Sequence, residues 1–249
     1  MALRSTGVRR FLSGSDFLMI PIRDDQPTFG TPAVTYFLIV FNFLIFLFEA
    51  TLSQRGLSDL FRQFALIPDH VALGLAGHGG VAVAVFPMFT SMFLHGGWMH
   101  VIGNMWVLWI FGDNIEDQLG HFLYLVFYLA CGLGAAVLHV LLNWGSPIPT
   151  VGASGAIAGV MGAYLLLYPR ARVSTFFPPF FFFALPAWVV LGYWIVVQFF
   201  SGAAARVVYA RQGGSGGIAF WAHVGGFVVG MILIRILPER SERYRYGTW

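Results

Sequence analysis

Apolar residues fall in long blocks between short polar breaks, at about residues 32–50, 98–112, 121–143, 154–168, 184–200 and 218–237. A bilayer core of about 30 Å takes roughly 20 apolar residues in a helix, so the blocks predict six membrane spans. The stretch 51–94 is too long and too apolar for a plain loop. It carries Phe64 to Pro68 and Val81 to Phe86, and is expected to fold at the membrane interface with short helices. The aromatic run Phe176 to Phe183, broken by Pro178 and Pro179, is expected to turn at the bilayer boundary between the fourth and fifth spans. The predicted fold is an all-α membrane protein: a six-transmembrane-helix bundle over 32–238 with a membrane-associated first loop, an N-terminal tail over 1–31 and a C-terminal tail over 239–249.

Composition agrees. Hydrophobic residues make up 58% of the 249 and charged residues 10%, too few to cover a surface in water, where about 25% is usual. A disordered chain, a nucleic-acid module and a disulfide scaffold are excluded, and Cys131 is the single cysteine. All 14 basic residues are arginines, set in separate loops, so no nucleic-acid partner is expected. With the N-terminus inside, Arg4, Arg9, Arg10, Arg23, Arg170, Arg172, Arg235, Arg240, Arg243 and Arg245 lie inside, and Arg55, Arg62, Arg206 and Arg211 outside. That asymmetry predicts both termini in the cytoplasm. The inner loop between spans two and three runs against it, carrying Asp113, Glu116 and Asp117 without an arginine. The first 31 residues hold four arginines and no long apolar run, so no cleavable signal peptide is expected; neither is a flanking soluble domain.

Ionisable and polar groups within spans are expensive and therefore candidates for function. Three clusters stand out: His95 to Asn104 entering span two, Gly152 to Gly155 opening span four, and Ala222 to Gly230 in span six. Span four runs from Ser154 to Tyr168 and stops at Pro169, about 21 Å by helical rise, which is short of the bilayer core. Ser154 is therefore expected below the membrane surface. His223 lies 14 residues above Leu237, the same depth from the same side. His100 and Asn104 share one face of span two in its outer half. Gly155, Gly159 and Gly162 on span four, with Ala222, Gly226 and Gly230 on span six, form small-residue stripes that let two helices approach closely. Pairing those stripes brings Ser154 near His223.

A serine hydroxyl needs a base to take its proton, and His223 is placed to do so. Free N–H groups at the start of span four, with Asn104 and His100 as side-chain donors, can stabilise an oxyanion. No carboxylate lies at this depth in spans two, four or six, so the arrangement reads as a Ser–His dyad.

These residues resemble the rhomboid intramembrane serine proteases over nearly the whole chain. The likeness rests on His95, His100 and Asn104, on Gly152-Ala-Ser154-Gly155, and on Ala222-His223 with Gly226 and Gly230. It implies hydrolysis of transmembrane protein substrates in the bilayer, with Ser154 as nucleophile, His223 as general base, and His100 and Asn104 lining the oxyanion site. Glu116 falls where the family often has a structural glutamate. Gly213 to Gly217 resembles the loop that caps the site. Ala158 stands where some members have a tyrosine packed against the base, so another group must orient His223. A Trp-Arg pair of the first loop is also absent.

The remaining polar residues read as structural. His95 is expected to hydrogen-bond the first loop, and Glu116 to tether inner loops. His70 and His78 are expected in solvent, with His121 and His139 anchoring at the interface. Asn42 and Gln198 are expected to bond between helices, and Glu49 to lie in water. No cofactor and no metal is expected, since no His-Glu-x-x-His occurs. The other readings are a catalytically inactive relative that binds membrane proteins, and a small transporter. The oligomeric state is not legible, and the short tails favour a prokaryotic plasma membrane.

Overall fold

The computed structural model describes residues 19–211 and 220–238, apart from Gly79 and Phe180. The arginines of both tails before Met19 and after Pro238, the tail 239–249 and the glycine-rich run 213–217 lie outside the described residues.

Helix α1 (Ala33–Thr51) is followed by α2 (Gln54–Phe64), α3 (Pro68–Leu75) and α4 (Val81–Thr90), then a 3-10 turn at Ser91–Phe93. The chain continues through α5 (Trp98–Leu119), α6 (His121–Leu142), α7 (Ser154–Leu167), α8 (Ala187–Arg211) and α9 (Phe220–Ile236). The stretch 51–94 is thus helical in short pieces. Ser53 caps α2 through Gly56 N, and Pro68 opens α3 at a position where its missing N–H costs nothing. Among the described residues two helices, α1 and α6, are long and apolar enough to cross a bilayer; Ala84–Phe93, Ser154–Leu167, Ala187–Ser201 and Phe220–Ile236 are shorter apolar helices. Phe37, Leu44, Phe48, Phe122 and Leu141 point outward from α1 and α6, a surface suited to lipid and not to water.

The centre of the molecule is α7. Every residue from Gly155 to Tyr164 is buried, and α7 packs most extensively on α9, with α6 and α5 on its other sides. Glycine makes this possible. A Cβ on Gly226 or Gly230 would overlap the Gly155 or Gly159 carbonyl of α7, and one on Gly162 would overlap the Phe227 carbonyl of α9. Gly155 and Gly159 in turn face Ala135 and Cys131 of α6. All five glycines of the two stripes thus lie where backbones nearly touch, the arrangement that draws helices together in lipid.

The fold is not purely helical. Strands β1 (Ile20–Arg23), β2 (Arg172–Phe177) and β3 (Phe181–Pro186) form an antiparallel sheet in the order β1-β2-β3, with Ile20 opposite Phe176 and Phe177 opposite Phe181. The expected aromatic turn is therefore a β-hairpin. Its aromatic and β-branched residues suit a pleated surface, while Pro178 and Pro179 cannot continue a ladder and mark the bend. Part of the expected N-terminal tail is likewise built into the fold as the outer strand.

The acidic loop expected between spans two and three is also helix. Asp113, Glu116 and Asp117 occupy the last turns of α5, and Gly120, with φ of +75°, alone separates α5 from α6. Their carboxylates are occupied. Glu116 accepts Val34 N–H, Thr35 N–H and Thr35 O–H at 2.7–2.8 Å. Since Pro32 gives α1 no side-chain cap, Glu116 satisfies the free N–H groups at that helix start and opposes its dipole. Glu116 also meets His121 Nδ1 at 2.6 Å, so the expected tether is a junction of α1, α5 and α6. Asp117 accepts Phe29 and Gly30 N–H, and Asp113 accepts Thr28 O–H.

Three further expectations are corrected. Asn42 donates to Leu38 O within its own helix and does not bridge to another. Glu49 is buried and accepts His95 N–H at 3.2 Å, tying the end of α1 to the entry of α5. His139 is also buried, bonding Thr150 Oγ1 at 3.0 Å and so holding the segment before α7.

Asp24, just after β1, accepts the Tyr164 hydroxyl at the far end of α7. Burial raises its carboxyl from 3.8 to about 6. A carboxyl whose pKa is higher folded than unfolded binds more protons in the folded state between those values, so stability falls as pH rises from about 4 to about 6. The melting temperature should decline across that window, and Asp24→Asn should flatten the decline; an unchanged slope would show that Asp24 is not its source.

Candidate active site

Ser154 is the first residue of α7, and His223 lies one turn into α9. Their helices are held together by the glycine contacts at Gly155–Gly226 and Gly159–Gly230, directly below the two side chains. Ser154 Oγ and His223 Nε2 are 2.7 Å apart, a hydrogen bond. Both side chains are half-buried, so the pair is sheltered yet reachable.

The other nitrogen of His223 is also bound. Nδ1 lies 2.7 Å from Gln198 Oε1 on α8, and the Trp194 ring, one turn earlier on the same helix, sits 5.6 Å from the His223 ring. The expected helix-to-helix bond of Gln198 thus exists, but its partner was not legible in the sequence. Both contacts to the His223 ring thus come from α8, while Ala158 of α7 is itself buried.

His100 and Asn104 line the segment leading into α7. A Cβ on Gly152 would lie 2.7 Å from His100 Nε2 and 3.6 Å from Asn104 Nδ2. Gly152 has φ of +129°, so both its backbone and its surroundings require glycine. Its N–H donates to Ser91 O at 2.9 Å, which fixes the approach to Ser154. Gly96 N–H donates to His100 Nδ1, so in the neutral ring the proton is on Nε2, the atom facing Gly152. Asn104 Nδ2 is buried and finds no partner among the described residues. The first hydrogen bond of α7 runs from Ile157 N–H to Ala153 O, and Ala153 supplies no side-chain cap. The first amides of the helix therefore have no intrahelical acceptor. His100 Nε2 and Asn104 Nδ2 thus both lie against Gly152, two residues before Ser154 and the free amides that open α7.

His95 stands apart from this set. It is buried edge-on to His100 at 5.1 Å, and only its backbone N–H is bonded, to Glu49; neither ring nitrogen has a partner among the described residues. Its main chain is tied to the end of α1 and not, as expected, to the first loop. Burial lowers its pKa to about 3, so the ring is neutral. Glu116 and His121 sit at the opposite end of α5 from His100. Among the described residues no group of three His, Cys, Asp or Glu side chains has the geometry of a metal site. A cavity of about 30 Å³ opens beside Ser154, walled by Met92, Gly132, Ala135, Ala136 and Ala222.

The profile of the Rhomboid domain matches residues 83–240. Over 99 residues the chain is 34% identical to the bovine (Bos taurus) presenilin-associated rhomboid-like protein, mitochondrial, covering 39% of this chain and 26% of that one. It is 41% identical over 78 residues to RHOMBOID-like protein 6, mitochondrial, of Arabidopsis thaliana, covering 31% and 25%. It is 31% identical over 138 residues to the rhomboid protease GluP of Bacillus subtilis, covering 55% and 25%. The matched stretches span about a quarter of the length of these curated relatives.

Proposed function

Because the chain belongs to the rhomboid family, an integral membrane helical bundle, we propose that it is an intramembrane serine endopeptidase acting on transmembrane helices. The observation that carries this is the 2.7 Å contact between Ser154 Oγ and His223 Nε2 beside the uncapped start of α7. Ser154 Oγ attacks the scissile carbonyl carbon as His223 Nε2 takes its proton. The carbonyl oxygen becomes an oxyanion held by the α7 amides, His100 Nε2–H and Asn104 Nδ2–H. The C–N bond then breaks, with the His223 proton passing to the leaving amine. Water, deprotonated by His223, releases the acyl chain and restores Ser154. The cavity walled by Met92, Gly132 and Ala222 admits a small side chain next to the cut. Local unwinding of the substrate helix, eased by Gly or Pro, exposes its carbonyl.

The test is labelling of purified protein by a fluorophosphonate, which reacts only with an activated serine. Labelling at Ser154 supports the protease. No labelling of folded wild type favours an inactive binding relative. A transporter would move solute without either reaction.

We further propose that α1, α5, α6, α7, α8 and α9 are the six spans, with both chain ends on the arginine-rich side. In a Cys131→Ala background, cysteine at Ser58 should react with an impermeant thiol reagent in intact cells and cysteine at Ser241 should not; the reverse pattern would invert the topology. The mitochondrial names of two relatives do not fit the expected prokaryotic plasma membrane.

The oxyanion role predicts a graded effect. Asn104→Ala should lower kcat by about 10²–10³, less than loss of Ser154, because the α7 amides remain. Binding should change little, since the donor acts only where charge develops. A melting temperature that drops while kcat holds would leave Asn104 as a packing residue.

A further inference from the structure

We infer that Gln198 is a third member of the catalytic unit: a positioning residue whose amide oxygen selects the proton-accepting tautomer of His223. The inference rests on the reading of Ser154 and His223 as nucleophile and base.

A neutral imidazole carries its proton on one nitrogen and accepts through the other. To take a proton from Ser154, His223 must be unprotonated at Nε2 and must therefore carry its hydrogen on Nδ1. An isolated ring does not hold itself in that state. A bond to the second nitrogen does, and here that bond is made by an acceptor: Gln198 Oε1 at 2.7 Å from Nδ1. The geometry gives a continuous line, with Ser154 Oγ donating to Nε2 at one side of the ring and Nδ1 donating to Gln198 at the other. The ring plane is held as well, because Trp194, four residues before Gln198 on the same face of α8, lies 5.6 Å away at 40°. Helix α8 thus supplies both the hydrogen-bond partner and the ring contact, while Ala158 of α7 has no side chain long enough to supply either.

The choice of an amide over a carboxylate has a physical sense. The other titratable groups bearing on His223 among the described residues are His100 from α5 and His139 from α6. Neither brings a negative charge, and a buried unpaired carboxylate between spans is expensive. An amide oxygen fixes the tautomer without that cost. It stabilises the imidazolium less than a carboxylate does, so the base returns its proton to the leaving amine more readily.

The test uses the full-length protein in detergent or nanodiscs, with histidine labelled by 13C and 15N. The His223 signal, identified by its disappearance in His223→Ala, should report the Nδ1–H tautomer in wild type and a mixture in Gln198→Leu. In a cleavage assay Gln198→Leu should lose about 10–100-fold in kcat, as loss of the group that orients a metal-bound histidine does. KM and melting temperature should stay near wild type, which separates orientation from mere packing. Gln198→Glu should move the acid limb of the pH profile up by about one unit or more, because a carboxylate stabilises the imidazolium. If that glutamate is protonated it donates instead, and the spectrum should then show the Nε2–H form with activity lost. A wild type in the Nε2–H tautomer overturns the inference, as does Gln198→Leu with wild-type kcat. Should Gln198→Leu not fold, Gln198→Glu with both pH profile and tautomer unchanged does the same. A wild type that neither labels nor cleaves overturns the protease reading, while the tautomer measurement still decides the role of Gln198.

Discussion

Ser154→Ala should abolish cleavage of a transmembrane substrate in liposomes, with kcat reduced by about 10⁴-fold or more. His223→Ala should fall as far. On the proposed mechanism each removes half of one proton transfer, and neither half works alone: without the base the hydroxyl stays protonated, and without the hydroxyl the base has nothing to activate. The double variant should therefore be little worse than either single one. Both side chains sit at the half-buried end of the α7–α9 contact, above glycine packing that involves only backbone. Their removal should leave the melting temperature near wild type. Cleavage by Ser154→Ala well above background would end the serine mechanism, as would full inhibition of wild type by a chelator.

Gly226→Ala should be the most damaging single methyl group in the molecule. The added carbon would overlap the Gly155 carbonyl, which belongs to a buried helix backbone and cannot rotate away. Extra methylenes in a packed core usually cost about 1–3 kcal/mol because side chains adjust. Here only separation of two helices relieves the overlap, so a loss of roughly 3 kcal/mol or more is expected. Separation would also pull His223 from Ser154, and activity should fall even in molecules that stay folded. Gly192 on α8 is the control: a Cβ there meets nothing within 4 Å. Gly192→Ala should be neutral, or stabilising by up to about 1 kcal/mol from helix propensity. Thermal melts of the two variants in one detergent separate the cases, and equal melting temperatures would refute the close approach of α7 and α9.

The meeting of Ser154 with His223 was legible because helical rise is a ruler. A short span and a long one ending at the same level place their first polar residues at one depth, and the glycine stripes name which helices touch. What escaped the sequence were contacts set by tertiary geometry. Ile20 pairs with Phe176 across more than half the chain, and nothing local in Ile-Pro-Ile-Arg announces a sheet. The phenylalanines of β2 and β3 suit a bilayer boundary as well as a strand. Glu49 was expected in water because it follows an apolar run, yet the returning chain at His95 closes over it. Gln198 drew attention as a polar residue in an apolar helix, but its target depends on how α8 crosses α9. The acidic turns of α5 read as loop because their partners, the amides opening α1, lie about 80 residues earlier.

The attachment of α8 to the sheet has a mechanical side. Ala187 N–H donates to Ala171 O and Trp188 N–H to Pro169 O, so the first turn of α8 is fastened by its backbone. β3 and β2 brace the same end, and beyond it α8 is held by packing on α9. A rod fixed at one end is a cantilever, and its displacement grows with distance from the mount. Gln198 stands 11 residues past Ala187, about 16 Å along the rod. A tilt of about 10° at the mount would carry Gln198 about 3 Å, enough to break a hydrogen bond of ordinary length. The stiffness of a small sheet at one end of the bundle thereby sets how steadily His223 is held at the other.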